Sequence, residues 1–165
     1  MAVRIPRPEV ASEFGVLGHQ PELMAAFSRL YAQLWSRGVL DHPTKEVVRL
    51  RNARVTDCRF CRNVRFSVAR QQGLTEDLVD QIDDGYADSA LSERHKVALR
   101  FTDVFLGDPH RLDGATRAAT LRHFSPAEIV ELTAAAALFV GFSKIVVALG
   151  TAPESMPTTV IPTPE

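Results

Sequence analysis

From Leu132 to Leu149 the chain is apolar, interrupted by Thr133, Ser143 and Lys144. Few folds can accommodate such a stretch. It falls short of the ~20 residues that a bilayer crossing needs. Ser125-Pro126-Ala127-Glu128 lies just before it. These residues supply an N-cap, a proline at the first helical position and a glutamate one residue short of a capping box. The pattern therefore predicts one long buried helix running to about Leu149, with Gly150 behind it as a stop. Such a helix is apolar nearly all round, and a small domain has limited interior for it. It is either a central helix or a central helix that also forms a subunit interface, since Ala134 to Ala137 permit close approach.

The rest of the chain has to build a helical shell around it. At 165 residues there is material for about one domain. The 45% apolar and 24% charged content excludes wholesale disorder. With 19 basic against 20 acidic residues, there is no charge excess to draw in nucleic acid or an anionic membrane. Leu23, Phe27, Leu30, Tyr31 and Leu34 recur at helical spacing behind Pro21, and Gly38 stops the run. A second helix follows Pro43, and a third is expected from about Asp57 to Gln72, stopping at Gly73. Thr75 opens a short one ending near Gly85; Ser92 opens another that breaks at Gly107-Asp108-Pro109; a short segment spans Asp113 to His123. No run alternates cleanly between apolar and polar residues, so no strand is expected. The resulting organisation is a single all-α helical-bundle domain at 21–150. Residues 1–20 form an arm before it, and 151–165 a proline-rich tail that is extended and mobile. The N-terminus lacks a basic start followed by an apolar core, which points to a cytoplasmic protein.

Both cysteines lie in one motif, Cys58-Arg59-Phe60-Cys61. Thr56 and Asp57 are good N-cap residues, which places Cys58 in a first helical turn where orphan amides favour a thiolate. Positions i and i+3 share a helix face with β-carbons ~5–6 Å apart, wider than a disulfide wants. Closing the bond would then deform the turn, and a strained disulfide is easily reduced, as redox cycling requires. Inert core cysteines are the plain alternative. A zinc site would need about four ligands, and His19, His42, His95, His110 and His123 are dispersed. Arg49, Arg51, Arg54, Arg59, Arg62, Arg65 and Arg70 crowd the same segment, either as solvated helix faces or as an attraction for an anionic partner.

Four segments together carry a specific resemblance: Lys45-Glu46-Val47-Val48-Arg49-Leu50-Arg51, Cys58-Arg59-Phe60-Cys61, Leu91-Ser92-Glu93-Arg94, and Phe124-Ser125-Pro126-Ala127-Glu128-Ile129-Val130-Glu131-Leu132. Over roughly Pro21 to Gly150 the chain resembles the carboxymuconolactone decarboxylase / AhpD-like (alkylhydroperoxidase) superfamily. The resemblance implies an all-helical homo-oligomer: a dimer, trimer or hexamer. It also implies reduction of a small-molecule hydroperoxide by a cysteine pair without metal or other cofactor, the pair being recharged by a dithiol or thioredoxin-like reductant. The family's redox motif is a glutamate followed twelve residues later by Cys-x-His-Cys-x-x-x-His. Glu46, Cys58 and Cys61 match it; Phe60 and Arg65 stand where the family has histidines. Phenylalanine carries no proton, and arginine stays protonated and cannot act as a base.

The candidate catalytic residues are therefore Cys58, Cys61, Glu46 and Arg65. On a continuous helix Arg65 shares a face with Cys61 and would stabilise a thiolate, with Glu46 positioning it or moving a proton through water. Alternatively, Glu46 and Arg65 form a structural ion pair. Which cysteine reacts first stays open between Cys58 at the helix terminus and Cys61 beside Arg65. Two other functions remain: a lyase acting on a small carboxylated lactone, like the superfamily's namesake, and a non-enzymatic oligomer retained for binding.

Overall fold

A computed structural model describes residues 2–6, 8, 15–152 and 154–165. Pro153 and, within the expected arm, residues 1, 7 and 9–14 lie outside the described residues. Eight α-helices are described: α1 (Pro21–Arg37), α2 (His42–Val55), α3 (Arg59–Asn63), α4 (Ser67–Gln71), α5 (Glu76–Asp80), α6 (Glu93–Gly107), α7 (Gly114–His123) and α8 (Pro126–Ala148). Local chemistry sets most of their starts. Asp41, Thr75, Ser92, Asp113 and Ser125 each accept a hydrogen bond from a first-turn amide. At α8 the capping box is complete. Ser125 is the N-cap and Glu128 occupies its N3 position, where the sequence reading had placed it one residue short.

α8 is the expected central helix, packed against α2, α6, α7 and α1. Because it begins at Pro126 it is 23 residues long, enough by length and composition alone to cross a membrane. One face, including Leu132, Ala135, Ala136, Phe139, Ser143 and Val146, is buried in the bundle, while Val130, Ile145 and Val147 are exposed. Its polar residues tie it in place. Glu131 pairs with the fully buried Lys45 at 2.9 Å, and Lys45 also donates to the Leu34 carbonyl. The second Glu131 oxygen accepts from the Val39 and Leu40 amides. Gly38 makes that approach possible, since a β-carbon there would lie 1.9 Å from Glu131 Oε1. Arg94 pairs with Asp41 and Glu128 and lies over the Phe124 ring, joining α6 to the starts of α2 and α8. Gly150 ends α8 with φ at +64°, the left-handed conformation that glycine takes without strain.

Two expectations are corrected. The helix read from Asp57 to Gln72 is split: α3 and α4 are separated by a strand, β1 (Val64–Phe66). The tail is not a mobile extension. Its residues Thr159–Ile161 form β2, which pairs in parallel with β1, setting Val64 opposite Thr159 and Phe66 opposite Ile161. Thr163 is buried and its hydroxyl accepts from the Val68 amide at 3.2 Å. The fold is thus mostly helical, with this small ladder beside the cysteine segment. Within the arm, Gly15–His19 forms a 3-10 turn, and the Val3 amide donates to the Ala148 carbonyl.

Candidate active site

α2 ends at Val55 with Thr56 as its C-cap, and Asp57 turns the chain with a positive φ of 49°. Cys58 follows with an extended backbone, as the N-cap of α3 and not within its first turn. Its Sγ accepts a hydrogen bond from the Cys61 amide at 3.3 Å. This corrects the spacing argument. Because Cys58 is outside the helix, the two thiols already approach to 2.7 Å, so the pair sits together without deforming a turn. Both cysteines are unbonded. Both are buried, Cys58 at 0% and Cys61 at 6% exposure, and Cys61 lines the cavity described below.

Their acidities diverge. The Cys58 thiol donates to Cys61 Sγ, which lowers the Cys61 pKa to about 7 against the opposing effect of burial. The Ser143 hydroxyl, 3.5 Å away on α8, and the charge of Arg49 act in the same direction. Cys58 is pushed up by the same hydrogen bond, by burial and by the neighbouring thiolate. The helix terminus contributes little by comparison, because α3 is only five residues long.

The cation at this site is Arg49. Its Nε and Nη2 hold the two Glu46 oxygens at 2.7 Å each, while Nη1 donates to the Cys61 carbonyl at 2.7 Å and Nη2 to the Val64 carbonyl at 2.6 Å. Glu46 Oε1 accepts from the Phe66 amide at 3.2 Å, and the guanidinium lies 5.0 Å from the Phe66 ring centre. Burial alone would weaken the charge, but Glu46 outweighs it and holds Arg49 protonated. A buried, bidentate and fully hydrogen-bonded pair of this kind fixes geometry. Here it clamps the end of α3 and both sides of β1 to α2.

Arg65 is elsewhere. It sits on β1, paired with Glu76 at 3.1 Å and donating to the carbonyls of Arg62 and Val64. It shares no helix face with Cys61, and Glu46 is paired with Arg49, not Arg65. The structure thus brings together Glu46, Cys58 and Cys61 and sets Arg65 in a separate ion pair. Arg49 was legible in principle, because it lies at i+3 from Glu46 on one helix face. Ser143 was visible as a polar interruption of the apolar run, though nothing local connects it to a thiol.

Cys61 and Ser143 open on an apolar cavity of about 200 Å³, walled by Tyr31, Phe66, Phe139 and Phe142 and by Ile161 and Pro164 of the tail. Phe60, at a family histidine position, also lines it. A second, larger cavity of about 520 Å³ adjoins through Tyr31, Phe60, Phe142 and Pro164. Burial raises the Tyr31 pKa, so its hydroxyl stays protonated.

The carboxymuconolactone decarboxylase family model matches residues 21–103. Among curated proteins, an uncharacterized protein of Mycobacterium tuberculosis, found in strains H37Rv and CDC 1551, is 34% identical over 116 residues. That match covers 70% of this chain but 41% of the relative, so the chain spans less than half the length of the curated proteins it matches. A solved structure from Agrobacterium tumefaciens, of a protein of unknown function whose description proposes an AhpD antioxidant defence protein, superimposes with a TM-score of 0.72 at 21% identity, covering 85% of this chain and 96% of that one. An uncharacterized peroxidase-related protein from Ralstonia eutropha JMP134, described as an alkylhydroperoxidase AhpD core, gives 0.72 at 20% identity, covering 86% of this chain and 76% of that one. In this chain Glu46, Cys58 and Cys61 all lie within the matched residues 21–103. The chain belongs to the carboxymuconolactone decarboxylase family.

Proposed function

We propose that the protein is a thiol peroxidase acting on apolar hydroperoxides, with Cys61 as nucleophile and Cys58 as resolving thiol. The observation that carries this is Cys61 itself: a thiol of lowered pKa, hydrogen-bonded by its partner and opening on an aromatic pocket. The Cys61 thiolate attacks the terminal peroxide oxygen. An S–O bond forms, the O–O bond breaks, and sulfur is oxidised to a sulfenic acid while an alkoxide leaves. The Cys58 proton, already directed at this point, passes to the alkoxide. Cys58, now a thiolate, attacks the Cys61 sulfur, forms the disulfide and expels hydroxide. An external dithiol restores both thiols by exchange. Cys58 thus takes over the proton delivery for which Phe60 and Arg65 are unsuited, and Glu46 acts through Arg49 as a positioning residue.

The cavity lining also favours this reading over the lyase. Its charged lining residue among those described is Arg49, and Glu46 already occupies that charge, so a carboxylated lactone would bury its carboxylate unpaired. The reading extends to a homo-oligomer, which would cover apolar side chains left exposed on α1, α7 and α8, Leu23, Leu30, Leu121 and Val130. Such a redox cycle belongs in a reducing compartment such as the cytoplasm.

The test is a pulse of cumene hydroperoxide on the fully reduced protein. The expected result is a mass lower by two hydrogen atoms, with Cys58 and Cys61 linked, and sustained peroxide consumption when dithiothreitol is added. A reduced protein that survives the pulse unchanged contradicts the peroxidase reading.

A further inference from the structure

The pocket in front of Cys61 is closed on one side by residues remote in sequence. β2 lies against β1, which begins three residues after Cys61. Ile161 and Pro164 line the thiol cavity, and Pro164 also lines the adjoining larger one. The segment is tied down at several points. Thr163 accepts from the Val68 amide, the Pro164 carbonyl accepts from the Ser36 hydroxyl, and the Glu154 carbonyl accepts from Arg59. Behind it, the Glu46–Arg49 pair holds β1 by the Val64 carbonyl and the Phe66 amide, so the wall is fixed to the same clamp as the thiol.

We infer that residues 159–164 are the specificity wall of the site, Ile161 and Pro164 setting the size of the molecule that reaches Cys61. This rests on the reading of Cys61 as the nucleophile and adds what selects its substrate. Strand alternation supplies an internal control. Ile161 lines the cavity, whereas its neighbour Val160 points the other way and is 47% exposed.

The test uses the reduced full chain and two thiol reagents, iodoacetamide as the small one and fluorescein-5-maleimide as the bulky one, with Cys61 modification followed by mass spectrometry. Ile161→Ala and Pro164→Ala should each raise the bulky-to-small rate ratio by about tenfold, the scale on which one pocket side chain discriminates, and Val160→Ala should leave it within about twofold. Ile161→Trp should lower the ratio. Iodoacetamide reactivity close to that of the unmodified protein shows that each variant keeps its site. The same ordering is expected for cumene hydroperoxide against hydrogen peroxide. A ratio that moves with alkylating reagents while no form consumes peroxide would support the wall and overturn the peroxidase reading. A ratio unmoved in Ile161→Ala, Pro164→Ala and Ile161→Trp, or moved equally by Val160→Ala, overturns the wall.

Discussion

Cys61→Ser is expected to abolish hydroperoxide consumption, whereas Cys58→Ser is expected to consume about one equivalent per chain and then stop. The asymmetry follows from position. Cys61 is the cysteine that lines the cavity and the one whose pKa is lowered, while Cys58 is fully buried. Without Cys58 the sulfenic acid at Cys61 has no partner thiol in the chain, because the pair accounts for both cysteines. It should then be trapped as an oxygen adduct on Cys61. Its formation should also be slower than in the intact pair, because the lost Cys58 hydrogen bond is the largest influence lowering the Cys61 pKa. Stopped-flow peroxide assays with peptide mass mapping read both effects. Activity retained in Cys61→Ser, or an adduct on Cys58 instead, would reverse the assignment.

Arg49→Ala should be the most damaging single change to the fold around the site. It leaves Glu46 buried without its cation, takes Arg49 from the Cys61 carbonyl and leaves the Val64 carbonyl to Arg65 alone. Breaking one side of a buried pair costs about 3–5 kcal/mol, a fall of roughly 10 °C in melting temperature for a domain of this size. Arg49→Lys should recover only part of it, since a single ammonium cannot grip a carboxylate in two places and reach two carbonyls as well. Losing the nearby positive charge should also raise the Cys61 pKa. Thermal denaturation by circular dichroism measures the first effect. A melting temperature within a degree or two of the unmodified protein would show that the clamp contributes little.

These residues also show what the sequence made legible. Helix starts could be read because capping is local: Ser92, Thr75 and Asp113 each meet an amide three residues away. The central helix was visible for the same reason, as one long apolar stretch broken only by Thr133, Ser143 and Lys144. β1 was not visible. Three residues carry no readable alternation, and their partners lie about a hundred positions further on. Missing β1 also misplaced Arg65, because the shared-face argument assumed a continuous helix from Asp57 to Gln72. At the site, the cysteines stood out by their spacing in one short motif, and Glu46 through the resemblance to the family's redox motif. Arg49 was hidden among seven nearby arginines, and only its position one turn from Glu46 marked it. Ser143, Ile161 and Pro164 reach Cys61 by tertiary packing alone.

The central claim is that this site activates Cys61 without the family's histidines. The rate of Cys61 alkylation by iodoacetamide against pH, followed separately from Cys58 by mass spectrometry, tests it most directly. The thiolate is the reactive form, so the rate should rise with pH and level off, with its midpoint near pH 7, below the unperturbed thiol value of ~8.5. Cys58 should stay unreactive across that range. A Cys61 midpoint at or above the unperturbed value, or a Cys58 that reacts first, would contradict the account.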